Sequence, residues 1–327
     1  MRLVIVVLLA LVLGISGAGY QWLNAPLAFE GDVADLSIEP GTSVREIAHD
    51  VQQAGVQINA DLLYWWFRLS GKARQIKAGS YELDHTTTPL SLLNKLVRGD
   101  ETLRAITIVE GWNFRQLRDA LQKADQLKPL SQTLTQEEIM QKLGLTGSSL
   151  EGRFFPDTYN YAKGSGDLAV LARAAKAMDK KLEAAWAMRD PGTVLQTPEQ
   201  ALILASIIEK ETGRPGDRPL IAAVFNNRLR IGMRLQTDPT VIYGLGESFN
   251  GNLRKSDLTT DTPWNTYTRT GLPPTPIAMP GKAALLAAVR PATSKALYFV
   301  ARGDGTSQFS NTLEEHNRAV NKYQRGQ

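Results

Sequence analysis

Two carboxylic acids, Glu209 and Glu211, follow an almost entirely apolar helical stretch, residues 201–208. Ser206 is the one polar residue in that stretch, so the helix is expected to cross the interior of a domain. An acid at the end of a buried helix is partly desolvated, and desolvation raises the pKa of a carboxyl group toward neutrality. Such a group can donate a proton near pH 7, which is the chemistry of a general acid in glycoside cleavage.

Glu209 and Glu211 are not expected to act as a pair across one bond. Residues two apart on a helix are separated by about 200° around its axis, so the two acids point to opposite sides. Glycosidases that use two carboxylates hold them about 5 to 10 Å apart across the scissile bond. One glutamate is therefore expected to face a cleft, and the spacing does not decide which. A structural cap or an ion pair is the ordinary alternative for either residue.

Other common catalytic sites lack their residues. The sequence has no cysteine, which excludes thiol catalysis, disulfides and thiolate metal sites. Its three histidines, His49, His85 and His316, lie far apart, and there is no HExxH, GKS/T or GxSxG motif. A net charge of +4 over 327 residues is too small to indicate nucleic-acid binding. We therefore expect no metal, no other cofactor and no nucleic-acid partner.

The helix that carries both acids has a well-defined start. Thr197 can cap its N-terminus and Pro198 suits the first helical position. Gln200 stands where the partner of a capping box returns a hydrogen bond to the cap. The sequence thus predicts a helix that begins at Pro198 and ends near the two glutamates.

Several segments after and before this helix are expected to wall a cleft. Residues 219–231 are predicted to form a second helix. Residues 234–246 begin irregularly, with a turn at Asp238-Pro239, and residues 265–276 are rich in Asn, Thr, Gly and Pro, which favours an ordered loop. The aromatic residues 150–161 are predicted to form a loop that packs on the domain.

The N-terminus predicts a membrane segment. Arg2 precedes an uncharged run over residues 3–19, and interfacial aromatic residues follow it. With Arg2 in the cytoplasm, everything after Leu23 lies across the membrane. A cleaved signal peptide is the alternative, because residues 16–18 are small.

We expect an α+β protein of four parts. Residues 1–23 form a transmembrane anchor, 24–32 a tether, 33–101 a small unit and 102–327 a mixed α+β domain that carries the site. The small unit has the predicted order strand, helix, helix, strand. That order is similar to the topology of a LysM module, a small carbohydrate-binding fold.

Several long stretches of the second domain resemble the endolytic murein transglycosylases. In chain order they are LEGRFFPDTY, ASIIEKET, NNRLRIGMRLQTDPTVIYGLG, NTYTRTGLPPTPIAMPG and LYFVARGDG. The resemblance extends over residues 103–323. The single N-terminal anchor and the LysM-like unit fit the same family.

The resemblance implies an enzyme of the bacterial inner membrane, with its N-terminus in the cytoplasm and its catalytic domain in the periplasm. It implies cleavage between N-acetylmuramic acid and N-acetylglucosamine in nascent peptidoglycan strands, beside the peptidoglycan synthases, to leave 1,6-anhydro ends. The family's catalytic glutamate falls on Glu209, which makes Glu211 a supporting residue. The polar residues expected to bind the substrate are Asn227, Gln236, Asp238, Tyr243, Asn265 and Tyr267.

Two other functions stay open at this point. A muramidase that uses water would need a second carboxylate near Glu209, and Asp238 is the best candidate in the sequence. An anchored, non-catalytic scaffold would bind peptidoglycan through the LysM-like unit and contact wall synthases through the second domain. Loss of function on substitution of Glu209 by glutamine distinguishes an enzyme from such a scaffold.

Overall fold

The computed structural model describes residues 2–326 and shows a mixed α+β protein, as the sequence predicted. Met1 and Gln327, which end the predicted anchor and the predicted second domain, lie outside the described residues. The chain divides into two compact units. Unit 1 comprises Met1–Arg104, Asp125–Leu127 and Asn160–Ser165, and unit 2 comprises Ala105–Ala124, Lys128–Tyr159 and Gly166–Gln327.

The first helix, α1 (Arg2–Asn24), is long and apolar enough to cross a membrane. Its candidate span is Val4–Asn24, which is exposed rather than packed inside the protein. Within residues 2–326 it is the one helix with this length and composition. A membrane anchor and a signal sequence both fit such a helix near the N-terminus, so both interpretations of the sequence still apply.

The rest of unit 1 is a small α+β fold on an antiparallel strand pair. Strand β1 (Val33–Ile38) pairs with β2 (Gly79–Asp84), with Val33 opposite Asp84 and Ile38 opposite Gly79. The connection between them holds α2 (Val44–Gln53), α3 (Ala60–Leu69) and a 3-10 turn at Ala73–Gln75, and α4 (Pro89–Arg98) follows β2. The predicted order of strand, helix, helix and strand is confirmed, whereas the likeness to LysM stays a prediction.

Alternation along β1 builds one side of the core of unit 1. Ala34, Leu36 and Ile38 point inward and their neighbours are exposed, as the period of two in a strand requires. Helices α2, α3 and α4 bury apolar residues against them, among which Leu63 is fully buried. Burying a leucine side chain stabilises a fold by about 1.5 to 3 kcal/mol, so these positions carry much of the stability of the unit.

Unit 2 is mainly helical. Its helices are α5 (Phe114–Lys123), α6 (Gln136–Leu143), α7 (Asp167–Ala187), α8 (Pro198–Glu211), α9 (Arg218–Arg230), α10 (Asp238–Leu245), α11 (Lys255–Thr259), α12 (Lys282–Val289) and α13 (Leu313–Gln324), with 3-10 turns at Leu130–Thr133 and Gly246–Ser248. Strand β3 (Leu103–Thr107) pairs with β4 (Thr158–Ala162). Strand β5 (Tyr298–Ala301) pairs antiparallel with β6 (Ser307–Ser310).

Helix α8 crosses the core of unit 2, as its lack of a polar face predicted. Every residue from 201 to 208 is buried, and the helix packs against α7, α9, α10 and α12. The hydroxyl group of Ser206 donates to the carbonyl of Ile203 at 2.7 Å and accepts the N–H of Ile277 at 3.0 Å. The one polar side chain of this stretch therefore ties the loop before α12 to the helix.

The start of α8 differs in one detail from the prediction. Thr197 caps the helix, since its hydroxyl group accepts the N–H of Gln200 at 3.2 Å. The predicted return bond from Gln200 to Thr197 is wrong: Oε1 of Gln200 accepts the N–H of Gln196 at 2.7 Å. The glutamine side chain reaches one residue further back and satisfies a donor outside the helix.

Two segments adopt regular structure that the sequence analysis did not predict. Asp238-Pro239 was expected to form a turn but opens α10, where proline fits because the first turn leaves its amide nitrogen without a helical partner in any case. Residues 158–162 were expected to be part of a loop but form β4, because their backbone pairs with β3. Residues 265–276 do form the predicted ordered loop without helix or strand.

Candidate active site

Glu209 lies where the buried part of α8 ends, and its side chain is 6% exposed. Its Oε2 accepts a hydrogen bond of 2.8 Å from the backbone N–H of Gly281. Its Oε1 lies 3.4 Å from Nη2 of Arg218. Burial raises the pKa of Glu209, while the Gly281 N–H and the Arg218 charge act in the opposite direction. A carboxyl group in this setting can hold a proton close to neutral pH.

Arg218 reaches Glu209 through the turn that joins α8 to α9. It is the first residue of α9 and is itself buried, and its Nη2 also donates to the carbonyl of Thr212 at 3.5 Å. The chain reverses over residues 212–217, which returns the start of α9 to the end of α8. The sequence analysis did not name Arg218, because a basic residue after a turn resembles any surface position.

A turn between β3 and α5, residues 109–113, packs over Glu209. The N–H of Gly111 donates to the carbonyl of Met279 at 2.9 Å, and the N–H of Met279 donates to the carbonyl of Trp112 at 2.7 Å. Nζ of Lys210 donates to the carbonyl of Gly111 at 3.3 Å. These bonds fix the 109–113 turn to the loop before α12 and to the end of α8.

Gly111 is required at the centre of this turn for two reasons. Its φ of +79° is in the left-handed region, which favours glycine. A β-carbon at this position would also come within 4.0 Å of Cγ of Glu209 and 3.7 Å of Cδ of Lys210. The backbone of the turn can therefore lie close to the catalytic candidate.

Glu110, the residue before Gly111, brings a second carboxyl group to Glu209. A β-carbon added to Gly281 would overlap Oε1 of Glu110, so this oxygen lies directly against the α-carbon of Gly281. The N–H of the same Gly281 binds Glu209. The negative charge of Glu110 contributes to the raised pKa of Glu209. The sequence analysis treated Glu110 as a turn residue and missed this position.

A cavity of about 1020 Å³ borders this group of residues. Gly111 and Lys210 line it on the side of Glu209. Its other walls combine aromatic rings with amide and charged side chains, among them Tyr243, Trp264, Phe249, Asn113, Gln116 and Arg118. Ligand sites commonly combine a largely apolar wall with a few polar groups, so this cavity suits a ligand with both apolar faces and hydroxyl or amide groups.

Glu151 lines the same cavity and is 4% exposed. Its two oxygens accept the N–H of Phe114 at 3.0 and 3.2 Å, and its Oε2 also accepts the hydroxyl group of Tyr243 at 3.2 Å. Burial raises the pKa of Glu151 to about 7, and the hydrogen bonds oppose this rise. The sequence analysis missed Glu151, although an acid enclosed by the apolar and aromatic residues of LEGRFF was a usable signal.

Glu211 faces a different group of residues from Glu209, as the helix geometry predicted. The hydroxyl group of Thr237 donates to Oε1 of Glu211, and burial raises the pKa of this acid. Asp238, which also raises the pKa of Glu211, accepts a hydrogen bond of 2.5 Å from the hydroxyl group of Tyr267. Three residues of the predicted site, Glu211, Asp238 and Tyr267, are thus brought together with Thr237.

The remaining predicted substrate-binding residues have separate surroundings. Tyr243 lines the cavity and donates to Glu151. Asn227 uses its Nδ2 for the carbonyls of Ser294 and Ala296, at 2.9 and 3.0 Å. Nδ2 of Asn265 donates to carbonyl groups of residues 257, 258 and 260, and Gln236 is an exposed residue with a φ of +48°. Both asparagine amides are therefore engaged inside the protein.

The arrangement is organised around a carboxyl group rather than a metal. Among residues 2–326, no three histidine, aspartate or glutamate side chains are grouped as metal ligands would be. The fold and site define a mixed α+β protein with one deeply placed glutamate beside a ligand-sized cavity, which is the arrangement of an enzyme that uses a carboxylic acid as proton donor.

The profile of the YceG-like family matches residues 36–322, and the chain belongs to this family. The resemblance that the sequence motifs indicated is therefore confirmed. The match includes both compact units and every residue of the candidate site.

Two curated relatives are named endolytic murein transglycosylases. The one from Bacillus subtilis (strain 168) is 32% identical over 309 residues, which cover 88% of this chain and 84% of the relative. The one from Streptococcus pneumoniae (serotype 2, strain D39) is 27% identical over 339 residues, which cover 92% of this chain and 61% of the relative. The prediction of a peptidoglycan lytic transglycosylase is thereby confirmed at the level of the family.

A solved structure shares the fold. The crystal structure of a yceG-like protein from Listeria monocytogenes is similar to this chain with a TM-score of 0.55 and 29% sequence identity. The similarity covers 88% of this chain and 98% of that protein.

Proposed function

We propose that the chain is an endolytic lytic transglycosylase that cleaves nascent peptidoglycan between N-acetylmuramic acid and N-acetylglucosamine and leaves 1,6-anhydro ends. The observation that carries this proposal is the carboxyl group of Glu209, almost fully buried, with a raised pKa, at the border of the cavity. Family membership and the names of the relatives support the class of reaction.

The first step is proton donation by Glu209. Its Oε1 has the weaker of the two contacts, 3.4 Å to Arg218 compared with 2.8 Å from Gly281 to Oε2. We assign the transferred proton to Oε1. It passes to the glycosidic oxygen as the bond from that oxygen to C1 of the muramoyl sugar breaks, which leaves an oxocarbenium-like centre. The substrate's own N-acetyl group stabilises C1, so no second enzyme carboxylate is needed for this step.

The second step closes the anhydro ring. Glu209, now a carboxylate, accepts the proton of the muramoyl 6-hydroxyl group while its oxygen forms the new bond to C1. The Gly281 N–H and the Arg218 guanidinium stabilise the carboxylate between the two steps. One C–O bond breaks, one C–O bond forms, and the proton returns to Glu209, so no water is consumed.

The cleft residues divide into two groups in this proposal. Tyr243 contacts the glycan from the wall of the cavity, and Gln236, Asp238 and Tyr267 line the approach on the side of Glu211. Asn227 and Asn265 support the cleft through their bonds to backbone carbonyls. Glu211 supports the end of α8 through its bond with Thr237.

The proposal places the enzyme on the bacterial inner membrane. Helix α1 is the single-pass anchor, with its N-terminus in the cytoplasm and the catalytic unit in the periplasm. Nascent glycan strands are made at this membrane surface, so peptidoglycan synthases are the expected protein partners. The LysM-like topology of unit 1 would add affinity for the glycan.

A water-using muramidase is the second candidate, because a second carboxylate does lie beside Glu209. That residue is Glu110, whereas Asp238, the candidate from the sequence, bonds to Tyr267 on the side of Glu211. A muramidase would use one acid to protonate the leaving group and the other to activate water. The two reactions give different products from the same strand.

The test is product analysis with the purified full chain in detergent micelles and uncrosslinked glycan strands in ¹⁸O-labelled water. Anhydro ends without label are expected from the proposed reaction. Reducing ends that carry ¹⁸O would overturn it in favour of the muramidase. Glu209→Gln is expected to lower the rate by a factor of about 10³ or more, since the only proposed proton donor is lost.

Glu211→Gln is the matched control for that variant. It makes the same substitution on the same helix, also at a carboxyl group whose pKa is raised by burial. We expect Glu211→Gln to keep anhydro products at a reduced rate. A protein that loses activity on Glu211→Gln and keeps it on Glu209→Gln would have its catalytic acid assigned to the wrong residue.

A further inference from the structure

Glu110 and Glu209 both approach Gly281, one at its α-carbon and the other at its N–H. We propose that Glu110 is a positioning residue that acts through Glu209, because its carboxylate, held against Gly281, keeps Glu209 protonated for donation to the glycosidic oxygen. This inference rests on the proposed role of Glu209. It adds a residue 99 positions earlier in the chain to the proton-transfer chemistry of the site.

The first support is that the 109–113 turn cannot move freely away from Glu209. Backbone hydrogen bonds in both directions join Gly111 and Trp112 to Met279, two residues before Gly281. Lys210, the neighbour of Glu209 on α8, holds the same turn through the carbonyl of Gly111. The position of the Glu110 backbone relative to Glu209 is therefore fixed by bonds on two sides.

The second support is the balance of charges around Glu209. The charged side chains on the elements that pack around it are Glu110 on the turn, Lys210 on α8, Arg218 on α9 and Lys282 at the start of α12. Arg218 favours the carboxylate form of Glu209, and Glu110 opposes it. Since a general acid must start each cycle protonated, a negative charge near Glu209 offsets the effect of Arg218.

The third support is that Gly281 leaves room for Glu110. Gly281 has an ordinary negative φ of −78°, which any residue can adopt, so backbone conformation does not demand glycine here. A side chain at this position would displace the carboxyl group of Glu110, which is exposed and can rotate away. Gly281→Ala therefore moves the Glu110 charge away while it keeps the N–H that binds Glu209.

The test measures the pH dependence of kcat/KM for the full chain in detergent micelles, with uncrosslinked glycan strands from pH 4.5 to 9. Activity falls on the basic side when the general acid loses its proton. Removing a nearby negative charge lowers the pKa of a carboxylic acid, so Glu110→Gln should move this basic limb to lower pH by on the order of one unit. On that limb, a shift of one unit is a tenfold loss of rate relative to the parent.

Two further variants separate this effect from a structural one. Gly281→Ala should move the basic limb in the same direction, and the double variant with Glu110→Gln should move it no further. Glu183→Gln, the same substitution at an exposed position of α7, is the control for the change in net charge and should leave the limb in place. A general loss of stability would lower the rate at every pH without moving the limb.

Two results would overturn the inference. One is a basic limb that stays in place in both Glu110→Gln and Gly281→Ala. The other is loss of activity at every pH in folded Glu110→Gln, which would make Glu110 a reacting group rather than a positioning residue. Failure of the proposed function is read separately, from labelled reducing ends in the product or from activity that survives Glu209→Gln.

Discussion

Nη2 of Arg218 lies 3.4 Å from Oε1 of Glu209, and the two side chains are 9% and 6% exposed. This contact is longer than the roughly 2.7 to 2.9 Å of a strong charge-assisted hydrogen bond. A buried ion pair offsets its cost of desolvation only when its geometry is excellent. Arg218 is therefore placed to stabilise the carboxylate of Glu209 after proton donation without holding it ionised at the start.

Arg218→Met should raise the pKa of Glu209, because it removes the positive charge that lowers this pKa and keeps most of the buried stem. The basic limb of the pH profile of kcat/KM should therefore move to higher pH, opposite to the shift expected for Glu110→Gln. The rate at the pH optimum should fall about tenfold or more, since the carboxylate needed in the second step is less stable. The measurement is the pH profile on uncrosslinked glycan.

The control for this variant is Arg269→Met. Arg269 donates to Asp261 at 2.8 Å, but the two side chains are more than half exposed and lie on an outer loop. Exposed ion pairs contribute about 0 to 1 kcal/mol, so this variant should be folded and should keep the parent profile. A shift of the basic limb to lower pH in Arg218→Met would contradict the role given to Arg218.

Glu151 should make the stability of the protein depend on pH. Its pKa is about 7 in the folded state and has an ordinary value of 4.5. Below 4.5 it is protonated in the folded and the unfolded state, whereas above 7 the folded state must bury its charge. Its contribution to the free energy of unfolding therefore falls as pH rises from 4.5 to 7, by about 3 kcal/mol. Glu151→Gln removes this fall, because the amide does not ionise and can still accept the N–H of Phe114.

Urea unfolding of parent and variant at pH 5 and pH 8, followed by tryptophan fluorescence, checks this prediction. The free energy of unfolding of Glu151→Gln relative to the parent should rise by up to about 3 kcal/mol between the two pH values. Other titrating groups are common to both proteins and cancel in this difference. Glu247→Gln, at a residue that is 85% exposed, should give the same difference at both pH values. An equal result for Glu151→Gln would mean that burial does not raise the pKa of Glu151.

The local part of the site could be predicted from the sequence because its causes are local. Thr197 and Pro198 define the start of α8, and the absence of a polar face from 201 to 208 predicts its burial. The angle between residues two apart on a helix predicts that Glu209 and Glu211 face different groups. The choice of Glu209 came from the family resemblance, since both acids proved to be largely buried.

The rest of the site depends on contacts between distant parts of the chain. Gly281 binds Glu209 from 72 positions away, and Lys210 bonds to Gly111 from 99 positions away. No periodicity or cap in the sequence reports such contacts, so Glu110 resembled an ordinary turn residue. Glu151 differs, because an acid within an apolar and aromatic stretch has to be paired or hydrogen-bonded when the stretch is buried.

Helix α1 should retain the protein in the membrane. Its apolar span, Val4–Asn24, is long enough to cross the hydrocarbon core of about 30 Å. The full chain should therefore stay in the membrane fraction after an alkaline carbonate wash, with an N-terminal sequence that begins before residue 4. A mature sequence that begins near Gly19 and a protein released in soluble form would show that α1 is a signal sequence.

Ser206→Ala should weaken the attachment of the loop that carries Gly281 to α8. Ser206 is fully buried, and its hydroxyl group accepts the N–H of Ile277 at 3.0 Å. Alanine would leave that N–H buried without its partner, which costs about 1 to 3 kcal/mol in the free energy of unfolding. Because the loop also brings the Gly281 N–H to Glu209, kcat should fall along with stability. Urea unfolding and glycan cleavage assays measure the two effects, and Ser248→Ala, at an exposed hydroxyl group, is the control. A variant with the stability and activity of the parent would show that the Ser206 hydrogen bond does not hold this loop in place.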